Sequence, residues 1–293
     1  MTESASKPKP SYHPSPSKPK LKLPHGSCDA HFHVSGPQER FPFSAQRSYT
    51  PACDAPKEEL FKLHGMLGIE RGVVVQSAAH GLDNSASADL IAARPAAYRG
   101  VALVTADISQ PELRRLDRQG FVGARFHYMK HLGAGTPINQ VIGLGKRLAD
   151  LGWHLQIHLD SKLIAQMASS LKGSPVPIVI DHMARIDASL GIGQQPFQDL
   201  LDLMEDEKFW VKVSGAERAS HQSAPWEDAL PFARKLVAEF GERTLWGTDW
   251  PHPNLEEVPD DGLMVDLIAE IAPREAQRQA LLVDNPKRFY RFE

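Results

Sequence analysis

Ser27–Val34 reads SCDAHFHV, and its alternation of polar and apolar side chains is typical of a β-strand. No glycine-rich phosphate loop follows it, which argues against the doubly wound sheets that bind dinucleotides. Similar short runs recur along the chain, each followed by a helical pattern of about 10–15 residues, and such alternation indicates parallel βαβ units. Eight of these units favour a distorted (β/α)8 barrel, an α/β fold of the TIM-barrel type.

The eight predicted strands follow the apolar runs: Ser27–Val34, Arg71–Ala78, Tyr98–Val104, Val122–Tyr128, His154–Leu159, Pro177–Met183, Phe209–Gly215 and Thr244–Trp250. The final segment, Arg274–Tyr290, is predicted to be a closing helix with Asn285-Pro286 as its stop signal. The long stretch from Ser35 to Ala55 is predicted to be a functional loop, for example a lid over the barrel.

The composition is that of an ordinary soluble globular protein, with 42% hydrophobic and 24% charged residues among 293. Lys plus Arg number 33 against 36 for Asp plus Glu, and this balance gives no support to nucleic-acid binding. No apolar run approaches the length of a transmembrane helix, so we expect no membrane partner. The two cysteines match neither a disulfide framework nor a zinc knuckle, and they fit a reducing, cytoplasmic compartment.

Residues 1–24 differ from the rest of the chain, because they hold six prolines and five lysines against one acidic residue. This composition predicts a flexible arm rich in Pro and Lys. An arm that wraps over a neighbouring subunit is the alternative, and it would make the protein a homo-oligomer. Residues 25–293 are predicted to form one barrel rather than the two domains that the length alone would allow.

The 13 histidines are unusually many, and several of them lie at predicted strand ends. His31 and His33 lie two residues apart in a strand, so their side chains project to the same side. His158, His182 and Asp249 end strands five, six and eight, and the C-terminal ends of barrel strands converge on one mouth. Nitrogen-rich ligation with one carboxylate suits a divalent metal, foremost Zn²⁺, held by all five residues. Asp249 would then be the general base for a bound water.

Four stretches resemble the amidohydrolase superfamily, in particular amidohydrolase-related family 2: Asp29–His33, Ile180–Met183, Trp246–Asn254 and Asn285-Pro286. Within it, the chain from about Gly26 to Tyr290 is similar to the 2-pyrone-4,6-dicarboxylate lactonases and 4-sulfomuconolactone hydrolases. The resemblance implies a carboxylic-ester hydrolase of EC 3.1.1 type. Its substrate would be a small anionic lactone from aromatic-compound catabolism.

The resemblance also implies roles for single residues. Asp249 matches the general base. His31, His33 and His182 match catalytic histidines that bind metal in some members and touch the substrate carbonyl in metal-free ones. The residues expected to hold the substrate's ring and acid groups are Arg125, Arg218, Tyr49 and Asn254. Further candidates for substrate contacts around the mouth are His131, Lys130, His80 and His252.

Three positions depart from the pyrone lactonase pattern. This chain has His131, Ala78 and His158 where the pyrone lactonases have arginine, serine and tyrosine. His158 restores the strand-five histidine of zinc-dependent relatives, so a bound metal is expected although close relatives work without one. The altered anion pocket favours 4-sulfomuconolactone as substrate, with 2-pyrone-4,6-dicarboxylate next. Two alternatives stay open: a metal-dependent, non-oxidative decarboxylase of an aromatic acid, and a barrel that binds a small anion without catalysis.

Five histidines are interpreted as surface or tail residues: His13, His25, His64, His154 and His221. Of these, His154 begins the predicted fifth strand and the other four lie away from strand ends.

Overall fold

The computed structural model describes residues 12–132, 135–255 and 257–293. In this part of the chain eight strands form one sheet in sequence order, and each is parallel to the next. They are β1 (Cys28–Phe32), β2 (Arg71–Val75), β3 (Tyr98–Leu103), β4 (Phe121–Tyr128), β5 (His154–Leu159), β6 (Ile178–Ile180), β7 (Phe209–Lys212) and β8 (Thr244–Leu245).

Backbone hydrogen bonds join β1 to the chain around and beyond β8. The N–H of Ala30 donates to the carbonyl of Trp246 at 2.8 Å, and the N–H of Asp249 donates to the carbonyl of His31 at 2.8 Å. The first and last strands therefore meet, and the sheet has the form of a barrel. The predicted (β/α)8 fold is confirmed.

The helices that the structure describes lie between and after the strands: α1 (Lys57–Leu67), α2 (Ser85–Ala93), α3 (Gln110–Arg118), α4 (Ile138–Ala149), α5 (Ile164–Lys172), α6 (Gln195–Met204), α7 (Ala216–Ala219), α8 (Leu230–Phe240), α9 (Asp261–Asp266), α10 (Ile268–Ile271), α11 (Glu275–Gln279) and α12 (Asn285–Tyr290). The local sequence explains where α3 begins. Ser109 caps α3 by accepting a hydrogen bond from the N–H of Glu112, and a proline occupies its first turn. None of the helices in the described ranges is long and apolar enough to cross a bilayer.

Apolar side chains fill one end of the barrel. Val73, Val101 and Val179 of the strands cluster with Tyr290 and Phe292 from the C-terminal segment. The guanidinium of Arg71, the first residue of β2, binds the backbone oxygen of Glu293, so this cluster lies at the N-terminal ends of the strands. The opposite end is left for polar side chains.

The predicted elements run past the observed ones at the C-terminal ends of several strands, where the chain turns into loops. One prediction at the end of the chain is wrong: Asn285-Pro286 does not stop the closing helix but begins α12. Residues Ala280–Asp284 form a π-helical turn before it. Proline is tolerated in the first turn of a helix, and the Asn285 side chain donates to the carbonyls of Gly241 and Thr244.

The N-terminal segment lies along the barrel from Tyr12 onwards. The Tyr12 ring packs on Trp250 with 5.1 Å between ring centroids. The N–H of Ser17 donates to Asp260, and those of Lys20 and Leu21 both donate to Asp266. Residues 1–11 of the predicted arm lie outside the described residues, and the boundary at residue 24 stays a prediction.

Candidate active site

A cavity of about 460 Å³ opens at the C-terminal end of the barrel. Nine of the residues selected from the sequence line it: His33, Tyr49, Arg125, His131, His158, His182, Arg218, Asp249 and Asn254. His31 lies directly behind this lining, 4.3 Å from His182 between ring centroids. Residues from β1, β4, β5 and the loops after β6, β7 and β8 therefore meet at one place.

Asp249 is the centre of the site. Its backbone has φ 61°, a left-handed conformation that is uncommon outside glycine. The distances from its Oδ1 to three imidazole Nε2 atoms are 3.2 Å for His33, 3.6 Å for His31 and 3.7 Å for His182. The Nε of Arg218 donates a hydrogen bond to Oδ2.

This environment keeps Asp249 ionised. Burial alone would raise the pKa of its carboxyl, but the nearby Arg218 guanidinium and then His182 outweigh burial and hold that pKa well below the usual range. An ionised carboxylate at the floor of a cavity can accept a proton from a water molecule. The site therefore holds a general base in the required charge state.

The other nitrogens of two of these histidines are held by a residue of β2 and by a residue in the loop after β7. Nδ1 of His33 pairs with the carbonyl of Val75 at 2.7 Å, and Nδ1 of His182 pairs with the hydroxyl of Ser214 at 3.1 Å. Each ring is thereby fixed with Nε2 toward Asp249. Burial lowers the pKa of His182 to about 3, so its imidazole is neutral at pH 7.

Three arginines give the cavity its positive lining. Arg125 donates from Nε to the buried carboxylate of Asp181 at 2.9 Å, and Arg218 donates from Nη2 to the carbonyl of Pro253 at 3.1 Å. Arg185 is the third, and burial lowers its pKa to about 10, which leaves it charged at pH 7. Guanidinium groups bind carboxylates and sulfonates in a paired geometry, so the cavity suits an anion.

The loop from Ser35 to Ala55 reaches the cavity. A pair of backbone hydrogen bonds between Ser35 and Ala55, at 3.0 and 2.7 Å, closes its base. The loop carries Tyr49, whose hydroxyl pairs with Ser77 at 2.8 Å. The predicted functional loop is thus connected to the site by a side chain.

His158 has a different partner from the other site histidines. Its Nδ1 lies 3.3 Å from Nδ1 of His127, which also lines the cavity. Burial, followed by the positive charge of Arg125, lowers the pKa values of both rings well below the usual value. The two rings are therefore neutral, and their Nε2 atoms are buried without a hydrogen-bond partner among the described residues.

Three other candidates are not among the residues that line this cavity. His80 is buried beside the loop, between the backbone of Gly36 and the carbonyl of Pro42. Lys130 is exposed after β4. His252 pairs with Asp261 at 3.0 Å behind the β8 loop. Their part in substrate binding stays a prediction.

The donors needed for a metal are present in part. Ligand atoms of His31, His182 and Asp249 lie within 4.8 Å of one another, and imidazole and carboxylate suit a borderline divalent cation. His33 adjoins this trio through Asp249, whereas His158 pairs with His127. The described residues thus offer a three-donor cluster that fits a divalent cation in donor type and spacing, and ligation by His33 and His158 stays a prediction.

Sequence patterns missed a buried polar network beneath the site. Lys212 of β7 and Gln156 of β5 are fully buried there, and both contact Asp181 or its partners. Nothing local in the sequence marks them, since a lysine and a glutamine in short strands are ordinary surface residues. The interpretation of His64 and His154 as surface residues is wrong: both are buried, and His64 bridges Asp29 and Tyr98.

The barrel, its mouth lined with histidines and arginines, and the central aspartate define a hydrolase-type (β/α)8 site. The amidohydrolase family model matches residues 28–292, and the chain belongs to this family. The resemblance stated from the sequence is confirmed.

Named relatives cover nearly all of the chain. A 2-pyrone-4,6-dicarboxylate hydrolase of Comamonas testosteroni is 44% identical over 95% of this chain and 94% of its own length. A 4-sulfomuconolactone hydrolase of Hydrogenophaga intermedia is 37% identical over 92% and 89%. The structure of a probable 2-pyrone-4,6-dicarboxylic acid hydrolase of Acinetobacter baumannii, with citric acid bound, has a TM-score of 0.81 at 25% identity, covering 91% of this chain and 100% of that one.

Proposed function

We propose that this protein hydrolyses a small lactone that carries acid groups, with water activated by Asp249. The observation that carries the proposal is the convergence of three imidazole Nε2 atoms on one carboxylate oxygen, beside a cavity lined by three arginines. The names of the relatives support the substrate class, since both describe hydrolases of anionic lactones. The Acinetobacter protein binds citric acid, a small polycarboxylic acid, and this supports an anionic ligand for the present chain.

The chemistry follows from the charge states. Asp249 takes a proton from a water molecule, and the water oxygen bonds to the lactone carbonyl carbon. The ring C–O bond then breaks, and Asp249 returns the proton to the departing ring oxygen. One water is consumed, a carboxylic acid and a hydroxyl or enol are formed, the acid releases its proton to solvent to become a carboxylate, and the base is regenerated.

Neutral histidines assist this step at the carbonyl. An imidazole with its proton on Nε2 donates a hydrogen bond to an oxygen that gains negative charge in the transition state. His31 and His182 both direct Nε2 toward Asp249, so either can serve an oxygen held at that place. The arginines Arg125, Arg185 and Arg218 would hold the acid groups and orient the ring.

Zinc forms part of the proposal as the cofactor expected from the sequence. The ion would be held by His31, His182 and Asp249, and when bound it would polarise the carbonyl. Elemental analysis of the purified protein, with activity measured before and after chelator treatment, tests this part. Full activity in metal-depleted protein would remove zinc from the proposal and leave the lactone chemistry in place.

A panel with two named lactones tests the substrate. The changed residues His131 and His158 favour 4-sulfomuconolactone, whereas the higher identity favours 2-pyrone-4,6-dicarboxylate. Ring opening is followed by absorbance, with CO₂ release measured in parallel against aromatic acids. We expect ring opening without CO₂. Release of CO₂ without lactone opening would instead support the decarboxylase. The absence of both activities would support a barrel that binds an anion without catalysis. The cytoplasmic location and the homo-oligomer remain predictions alongside this function.

A further inference from the structure

Lys212 is a fully buried lysine in β7, directly beneath the site. Lysine is almost never fully buried unless its ammonium group is paired. Its Nζ lies 2.9 Å from Oε1 of Gln156 and 3.0 Å from Nδ1 of His31. A third neighbour, Oδ1 of Asp181, lies at 3.4 Å. This lysine therefore contacts the first histidine of the His-x-His pair.

The surrounding contacts determine the direction of each hydrogen bond. Asp181 accepts from Nε of Arg125 at 2.9 Å and from Nε2 of Gln156 at 3.1 Å, both at Oδ2. Because the amide nitrogen of Gln156 faces this carboxylate, its oxygen faces Lys212 and accepts from it. The network thereby holds the Lys212 amine against Nδ1 of His31.

This contact decides which nitrogen of His31 carries the proton. An ammonium group has three donors and no acceptor, so Nδ1 must accept from it. A nitrogen that accepts a hydrogen bond carries no proton, so the ring cannot be the doubly protonated cation and is a neutral imidazole. A neutral imidazole with an accepting Nδ1 carries its proton on Nε2. The opposite tautomer would place an N–H of His31 against the donors of Lys212 at 3.0 Å.

We propose that Lys212 is a positioning residue that holds the proton of His31 on Nε2, so that His31 donates a hydrogen bond to the lactone carbonyl oxygen. The geometry leaves this donor available: Nε2 is buried without a hydrogen-bond partner among the described residues, and its 3.6 Å distance to Asp249 is too long for such a bond. The part that concerns the carbonyl rests on the proposed function.

The same contact bears on metal binding. A cation at the cluster of His31, His182 and Asp249 would need the Nε2 lone pair that the proton occupies. The imidazole could free it only by moving the proton to Nδ1, toward Asp181 at 3.3 Å and against Lys212. Lys212 therefore weakens the binding of a divalent cation by His31.

The first test needs neither substrate nor a lysine variant. In ¹⁵N-histidine-labelled wild-type protein, the resonances of His31 are identified by their absence from the His31→Asn spectrum. We expect Nδ1 at the unprotonated, downfield position and Nε2 at the protonated position. A proton on Nδ1, or on both nitrogens, would overturn the proposal whatever the enzymatic activity is.

The second test uses Lys212→Met, which keeps the length of the side chain and removes its donors, with the exposed Lys162→Met as control. We expect kcat to fall by about 10- to 100-fold with KM little changed, and zinc to bind about 10-fold tighter by titration of the metal-free protein. Unchanged zinc affinity and an unchanged His31 tautomer in a folded variant would contradict the proposal. If the variant does not fold, the wild-type spectrum decides.

The two proposals fail separately. Wild-type protein with the predicted tautomer but no lactone hydrolysis would refute the proposed function and retain the role of Lys212 toward His31. Lactone hydrolysis with the opposite tautomer would refute only the role of Lys212.

Discussion

Arg218 donates a hydrogen bond from Nε to Oδ2 of Asp249. The residue expected to hold an acid group of the substrate and the residue expected to activate water therefore form a direct ion pair. Arg218 also donates from Nη2 to the carbonyl of Pro253. The remaining guanidinium nitrogen, Nη1, can donate as well. One guanidinium thus contacts the base and lines the space for the anion. Binding of an acid group and the basicity of Asp249 are coupled through it.

Replacement of Arg218 tests this coupling. In Arg218→Gln the charge that holds the pKa of Asp249 well below its usual range is removed, so that pKa rises. The base needs its ionised form, and the acid limb of kcat/KM therefore moves to higher pH than in the wild type. We expect kcat/KM to fall by about 100-fold at pH 7, mainly through KM, because a charge-assisted contact to the anion is lost.

The exposed Arg234→Gln serves as control, since its partner Glu270 is on the surface. A pH profile from pH 4 to 9 is the measurement. An acid limb that stays in place in Arg218→Gln would show that the ion pair does not set the basicity of Asp249.

Removal of the base itself gives a second prediction. Asp249→Asn keeps the shape of the side chain, so the fold should be retained by circular dichroism. Turnover should fall by about 10³-fold, because the amide cannot accept the proton of water. The exposed Asp202→Asn should retain wild-type turnover. Substantial hydrolysis by folded Asp249→Asn would assign the base elsewhere.

The buried carboxylate of Asp181 gives a prediction on stability. It lies between Arg125 and Lys212, and Asp181→Asn leaves both cations without their counter-charge. Breaking a buried ion pair in this way costs about 3–5 kcal/mol. Urea unfolding should show this loss, and the exposed Asp202→Asn should unfold like the wild type. A loss in Asp181→Asn as small as that of the control would mean that the network tolerates the missing charge.

His252 and Asp261 form a buried pair whose contribution depends on pH. Burial alone would lower the pKa of His252, but Asp261 outweighs it and the pKa is raised from 6.5. Because the folded-state pKa is above the unfolded value, the pair stabilises the protein below pH 6.5, and this stabilisation is lost as the pH rises through the folded-state pKa. His252→Gln should therefore lose more unfolding free energy at pH 6 than at pH 9.

The comparison needs a histidine outside the core. His221 lies on the surface beside Asp187, and His221→Gln should change stability little at either pH. Equal losses for His252→Gln at both pH values would show that the pair is not charged in the folded protein.

Truncation tests the N-terminal segment. A variant lacking residues 1–21 loses the contact of Tyr12 with Trp250 and the hydrogen bonds to Asp260 and Asp266. We expect Tm to fall by about 4 °C, the size expected for loss of one or two kcal/mol in a domain of this length. A variant lacking residues 1–11 keeps these contacts and should melt at a higher temperature than the longer truncation. Equal melting of both variants would refute a structural role for residues 12–21.

Much of the site could be predicted because parallel strands impose one geometry. Strands that alternate with helices must be parallel, and their C-terminal ends then meet at one mouth. Polar residues at those ends, such as His33, His182 and Asp249, could therefore be grouped without coordinates. His80 and Lys130 satisfy the same rule by position, yet His80 turns to the backbone of Gly36 and Lys130 lies exposed, because the direction of a loop side chain depends on its neighbours.

The sequence by itself determined the barrel, the family and the residues that end the strands, since periodicity and local motifs are properties of neighbouring residues. Only the tertiary structure decided the partners. Lys212 contacts His31 across 181 positions of the chain, and Arg218 reaches Asp249 across 31. Such contacts depend on strand register, barrel closure and the loss of solvent around buried charges. They determine which nitrogen carries a proton and which carboxylate stays ionised.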